Sequence, residues 1–151
     1  MIDAANHYLI DTNILLRLNR PDDTDFLAIR KAIQILSARG SHFCYTPQNI
    51  VEFWNACTRP SRRNGYGLSI VDTQKRTQEI ERVFKLLESN ERIYPEWRRL
   101  VETHAVSGVQ VHDAHLVAAM RIHGVSYILT LNTRDFMRYP GITVQHPRDI
   151  V

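Results

Sequence analysis

Four acidic residues of this chain stand in comparable company. Asp11 follows the apolar run Tyr8, Leu9, Ile10 in "HYLIDTNILLRL" (residues 7–18) and precedes Ile14, Leu15, Leu16 and Leu18. Glu52 lies in "QNIVEFWN" among Ile50, Val51, Phe53 and Trp54. Asp113 opens the apolar helix of "VQVHDAHLVAAM", and Asp135 comes just past a strand in "ILTLNTRDF". Each alone has an ordinary structural reading. Asp11 and Asp113 can cap helices or face a helix dipole. Glu52 can lie on a solvent stripe, and Asp135 can be a loop acid. Together they are four carboxylates in segments that converge on one edge of one sheet. Like charges at short range raise each other's pKa, and a divalent cation is the usual remedy. All-oxygen ligands suit magnesium or manganese rather than zinc. Such a site can activate water and neutralise charge developing on a phosphate.

The elements that must hold these acids follow from pattern. Apolar runs at 8–11, 42–46, 92–95, 126–131 and 142–146 are expected as strands. Helices are expected at 24–40, 47–60, 68–89, about 95–105 and 112–123, with another opening at Ile14. The first has Thr24 as N-cap and Gly40 as stop, with Phe26, Ile29, Ile33 and Leu36 on one face. Pro47 marks the second helix's start, and Pro60 ends it. The 68–89 helix is read with Ile70, Ile80, Phe84 and Leu87 as its apolar stripe. Strands separated by helices argue for a short-stranded parallel sheet covered on both faces. Such sheets place ligands beyond the carboxyl ends of their strands, where Asp11 falls.

The 151 residues, 44% of them hydrophobic, suit one domain over 1–151 with a real core. No apolar run approaches the roughly 20 residues of a membrane span, so no membrane is expected. Met1 to His7 shows no secretory signal. Cys44 and Cys57 form no CxxC and no disulfide framework, and are read as reduced and buried in a cytoplasmic protein. Nineteen Lys and Arg against sixteen Asp and Glu give a net charge of +3, which permits a nucleic-acid partner without establishing one.

In this order, "LIDTNILLRL", "QNIVEFWN", "VHDAHLVAAM" and "ILTLNTRDF" resemble the four acidic motifs of PIN domains, most closely those of VapC-type toxins, over about residues 8–146. The "TRP…NGYGLS" stretch (58–69) and the ending "PGITVQHP" resemble this family's connecting segments. The resemblance implies a three-layer α/β/α domain and an endoribonuclease using one or two Mg²⁺ or Mn²⁺ ions. It implies Asp11, Glu52 and Asp113 as metal-binding acids, with Asp135 completing the pocket. Thr12 and Asn13 would orient Asp11 or a bound water. Many PIN domains have an acid two residues after the threonine that ends the fourth strand. Here that position is Asn132, which offers a carbonyl without charge, and the acid comes at Asp135. An RNA substrate, a cognate antitoxin and a homodimer are likewise implied. The same acids leave room for a housekeeping RNA-processing nuclease, and their loss would have signalled a binding domain without catalysis.

Two further likenesses fail on the residues. "HD" at 112–113 resembles the HD phosphohydrolases, but those are all-helical and need further histidines upstream. "LIDTN" resembles the haloacid dehalogenase motif, but the second aspartate it needs is Asn13 here. His112 and His115 are read as a surface pair or substrate contacts. Arg62, Arg63 and Tyr66, in a Gly-containing loop with Arg59, suit backbone contact and base stacking on single-stranded RNA, or a solvated loop. Lys75, Arg76, Arg98 and Arg99 are read as solvated helix faces, and Trp54 and Trp97 as core or interface.

Overall fold

The computed structural model describes residues 6–151; residues 1–5, part of the segment read for a signal, lie outside the described residues. Strand β1 (His7–Ile10) leads into helices α1 (Thr12–Leu18) and α2 (Phe26–Ala38). Strand β2 (His42–Tyr45) is followed by α3 (Pro47–Thr58), the 3-10 turn Ser61–Arg63 and α4 (Ile70–Val83). Strand β3 (Lys85–Leu86), α5 (Ile93–Thr103) and α6 (Gln110–His123) come next. Strand β4 (Tyr127–Leu129), the 3-10 turn Thr133–Phe136, β5 (Thr143–Gln145) and the 3-10 turn Pro147–Asp149 complete the chain.

The five strands are all parallel, in the order β3-β2-β1-β4-β5. The chain builds outward from β1 to one edge, then returns across β1 to build the other half. The carboxyl end of β1 therefore lies where the strand order reverses, which is where open α/β sheets hold ligands.

Alternation along each strand divides the core into two layers. Leu9, Cys44 and Ile128 face α5 and α6, packing with Leu100, Val117 and Met120. Tyr8, Ile10, Tyr45 and Leu129 face α1 to α4, packing with Ile14, Ile29, Phe53 and Ile80. Both faces are covered, so the strands read as unbroken apolar runs. This is the expected three-layer arrangement. Cys44 and Cys57 are fully buried, and burial pushes their thiols up to about 12 and about 11. No helix among the described residues is long and apolar enough to cross a membrane.

The largest correction lies between 84 and 95. The expected helix over 68–89 stops at Val83, and the expected strand at 92–95 is the opening of α5. Phe84 is extended, with its ring edge-on to Phe43 at 6.3 Å. Leu87 donates its N–H to the Tyr45 carbonyl at 2.8 Å and is buried. Pairing with the open edge of β2 satisfies backbone groups that a longer helix would leave unpaired. Pro95 is tolerated at the start of α5 because its missing N–H has no helical partner there. The inner stripe of α4 also differs. Ile70 is exposed, while Thr73, Thr77 and Ile80 are buried. Thr73 and Thr77 return their hydroxyls to the carbonyls of Ser69 and Thr73, both at 2.9 Å, and so present methyl groups to the core. Thr24 does not cap α2. Asp25 takes the N-cap position without a side-chain cap bond, its carboxylate pairing instead with Arg148 at 2.9 Å.

The segment after α3 folds back on that helix. Tyr66, Gly67 and Leu68 donate to the carbonyls of Ala56, Arg59 and Cys57 at 2.8–2.9 Å. Gly65 passes so close that an added Cβ would lie 1.8 Å from the Arg59 carbonyl oxygen. Gly65→Ala should therefore destabilise the fold by about 1–3 kcal/mol, as other forced overpacking does, measured by urea unfolding. An unchanged midpoint would show that the loop does not hold this approach in solution.

Candidate functional site

Asp11 ends β1 and begins α1. Its N–H continues the ladder to the Leu129 carbonyl at 3.1 Å, which fixes it beside the end of β4. Its Oδ1 accepts from the Thr12 N–H at 2.8 Å, so the capping reading is correct as far as it goes. The other oxygen shows that capping is not the whole role. Oδ2 accepts a short hydrogen bond from the Thr130 hydroxyl at 2.6 Å and a longer one from Asn13 Nδ2 at 3.2 Å. The Asn13 carbonyl oxygen accepts from the Leu131 N–H at 3.3 Å, anchoring the amide across β1 and β4. The carboxylate is thus nearly buried with three donors, an arrangement that holds one rotamer.

Glu52 is positioned through α3. Thr46 and Asn49 form a reciprocal capping box at that helix's start. Asn49, fully buried, donates from its side-chain amide to Thr12 Oγ1 at 3.0 Å. Thr12 has one hydroxyl proton and gives it to Glu52 Oε1, also at 3.0 Å. The chain Asn49 to Thr12 to Glu52 therefore has a fixed direction. Glu52 is half-buried rather than on a solvent stripe, which is occupied by the exposed Val51.

Asp113 is not a cap. α6 begins at Gln110, and Asp113 lies within its first turn, half-buried. Asp135 lies in the 3-10 turn after β4, also half-buried. No side-chain hydrogen bond to either carboxylate is made among the described residues. Their charges nevertheless meet. Burial and then the charges of Asp11, Asp135 and Glu52 push the Asp113 carboxyl up to about 7, against a smaller opposing effect of Arg138. Burial also raises Asp11, with Asp135 adding to it while the Thr130, Thr12 and Asn13 donors oppose it. Glu52 is raised by burial and by Asp11, and lowered by its Thr12 bond, the nearby His112 and Gln48. The four acids are electrostatically one group. As the side chains stand, no three His, Cys, Asp or Glu among the described residues form a ready-made metal cage.

Three residues of this neighbourhood escaped the sequence reading. Thr130 left only the signal of a hydroxyl where an apolar strand ends. Asn49 left an Asn three residues after Thr46, which resembles a capping box. Gln48 left none. Asn132 is exposed at the turn's start, its N–H on Thr130 Oγ1 at 3.0 Å. His112 is exposed, but His115 is half-buried with Nδ1 2.6 Å from Gln48 Oε1, so the two are not simply a surface pair.

Arg62 and Arg63 are exposed on the Ser61–Arg63 turn. Tyr66 is not an open platform, because the Arg20 guanidinium lies 4.5 Å over its ring. Arg76 is half-buried and donates to the Asn19 carbonyl, while Arg98 and Arg99 make exposed ion pairs within α5. Trp97 joins α5 to α6 by donating to the Val111 carbonyl at 2.9 Å.

A family model described as PIN domain matches residues 8–142. Ribonuclease VapC48 of Mycobacterium tuberculosis is 41% identical over 54 residues, covering 36% of this chain and 37% of that protein. The match thus spans little more than a third of the curated relative. Among solved structures, VapBC2 of Rickettsia felis bound to a promoter DNA fragment aligns with a TM-score of 0.69 at 12% identity, covering 93% of this chain and 98% of that one. A toxin–antitoxin complex from Klebsiella pneumoniae aligns with a TM-score of 0.64 at 21% identity, covering 93% and 97%. These structural likenesses establish the fold alone.

The coupled acids set a pH dependence. Between about pH 4 and pH 7 the native chain holds a proton on Asp113 that the unfolded chain has released, so stability falls as pH rises through that window, and the upward shifts of Asp11 and Glu52 act in the same direction. In EDTA, the melting temperature of Asp113→Asn relative to wild type should climb across this range, with the variant the more stable at about pH 7.5. A difference that stays constant with pH would mean that the four charges do not meet.

Proposed function

Because the chain belongs to the PIN-domain family, we propose that it is a metal-dependent endoribonuclease, hydrolysing RNA phosphodiester bonds as the toxin of a toxin–antitoxin pair in the cytoplasm. The observation that carries this reading is the electrostatic union of Asp11, Glu52, Asp113 and Asp135 where the strand order reverses. The likeness to a ribonuclease and to toxin–antitoxin complexes supports RNA and an antitoxin protein as partners. A homodimer belongs to the same proposal.

The donor set suits a hard divalent cation. It offers carboxylate oxygens from four residues, an amide carbonyl at Asn132, and no thiolate, since both thiols are buried away in the core. Asp11, Glu52, Asp113 and Asp135 would hold one or two Mg²⁺ or Mn²⁺ ions. A bound cation would offset the acids' repulsion and the charge that develops on the phosphate. The remaining work falls to the chain. Thr130, Asn13 and the Thr12 N–H keep Asp11 in one rotamer, and Asn49 and Thr12 aim Glu52. Water is the nucleophile, so no covalent intermediate forms. Arg62 and Arg63 contact RNA phosphates, and Tyr66 contributes through the guanidinium stacked on it.

Purified protein should cut RNA with Mg²⁺ or Mn²⁺ and stop in EDTA, and Asp11→Asn should remove detectable cleavage. Thr130→Val removes only one orienting hydroxyl and should cost about 10- to 100-fold. Cleavage that persists in EDTA, with contaminating nuclease excluded, overturns the metal requirement. Induced expression should arrest growth unless an antitoxin is co-expressed; harmless expression of protein that still cuts RNA favours a housekeeping nuclease.

The loop is tested separately. Arg62→Ala with Arg63→Ala should reduce the salt slope of single-stranded RNA binding by about 1.4, at roughly 0.7 per phosphate contact. An unchanged slope returns both arginines to the solvated surface.

A further inference from the structure

Glu52 and Asp113 come from helices on opposite faces of the sheet: α3 packs in the layer of Tyr8 and Ile10, α6 in the layer of Leu9. The two acids approach each other over the carboxyl edge, where no strand pairing joins their helices. Two hydrogen bonds bridge α3 to α6 there, and both are made by Gln48. Its Nε2 donates to the His112 carbonyl at 2.8 Å, and its Oε1 lies 2.6 Å from His115 Nδ1. With the amide nitrogen engaged as donor, Oε1 must accept, so His115 Nδ1 bears the hydrogen and Nε2 keeps the lone pair of the neutral ring. Gln48 stands one helical turn before Glu52, close enough to help hold its carboxyl down against burial. His112 directly precedes Asp113, so a bond to its carbonyl fixes the backbone from which the Asp113 side chain springs.

We infer that Gln48 is a positioning residue, a latch between α3 and α6 that sets the separation of Glu52 from Asp113 and thereby the pocket's affinity for a divalent cation. This rests on reading the four acids as a cation-binding nuclease centre. Asp11 is held by its own donors, but Asp113 has no side-chain partner among the described residues, so its placement depends on where α6 begins relative to α3. A surface glutamine making incidental contacts would have no such consequence.

Gln48→Met keeps length and removes both hydrogen bonds; Gln48→Ala is the second variant. In long-range ¹⁵N spectra, wild-type His115 should appear as the Nδ1–H tautomer, and the variants should shift toward Nε2–H. Mn²⁺ affinity, measured calorimetrically without RNA, should fall about tenfold. At limiting Mn²⁺ the variants should lose kcat while KM for an RNA oligonucleotide stays within about twofold, and excess Mn²⁺ should restore the rate. Melting temperature in EDTA should stay within about 4 °C of wild type, a change of under about 1 kcal/mol. Mn²⁺ affinity equal to wild type in both variants overturns the inference alone. A wild type that neither binds Mn²⁺ nor cuts RNA overturns the reading of the centre, and the inference with it.

Discussion

A carboxylate buried beside other carboxylates is the constraint on which this structure turns. Asp11 cannot be moved to the surface, because its N–H belongs to the sheet ladder and its carbonyl begins α1. Burial and its acidic neighbours both oppose its charge. The fold answers with three donors: the Thr12 backbone N–H and the Asn13 side-chain amide from the first turn of α1, and the Thr130 hydroxyl from the end of the neighbouring strand. The Thr130 bond, at 2.6 Å, is of the short charge-assisted kind. The Thr130 donor and the anchoring of Asn13 both need β1 and β4 to be adjacent, so the strand order and the site are one structural fact.

The acids are not held alike. Asp11 and Glu52 have their rotamers fixed by hydrogen bonds, whereas Asp113 and Asp135 receive none to their carboxylates among the described residues. Half of the group is tied by hydrogen bonds and half is not. A wholly rigid cage would demand close repulsion whenever no cation was bound. A wholly loose one would lose the entropy of ordering four side chains on binding. Tying two acids and leaving two without hydrogen-bond partners among the described residues is a middle course, and places the burden of alignment on whatever sets α6 against α3.

The sequence made legible what depends on near neighbours. Apolar runs marked β1, β2, β4 and β5, and the acids were visible because each follows such a run or opens a helix. What it hid depends on partners far along the chain. The β3 segment carries a helical pattern continuous with α4; only the exposed edge of β2 converts it to strand. Thr130 looks like the last residue of an ordinary strand until Asp11, 119 positions earlier, is placed beside it. Gln48 is a plain helical glutamine until α6 is brought over from the opposite layer. The start of α6 was placed two residues late for a local reason: Val109 carries no capping side chain, so no polar signal marks where the helix opens.

The site also changes how the chain's net charge should be understood. A value of +3 is modest for a protein proposed to grip RNA. Yet four of the sixteen acids are gathered at one place, so the rest of the surface has a larger basic excess than the net figure suggests. Part of that excess is tied locally, as Arg17 is to Asp23, Arg98 to Glu102 and Arg148 to Asp25. Arg62 and Arg63 make no ion pair among the described residues and stand on a loop whose backbone is fastened to α3, the helix that carries Glu52. An acidic centre repels a polyanion at short range. On the proposed reading, cationic side chains fastened to the same helix would hold the strand by its phosphates while the acids, once neutralised, would admit one phosphate to the centre. A binding surface that was uniformly basic would attract RNA as well, but it would offer no reason to bring four carboxylates together at a strand's end.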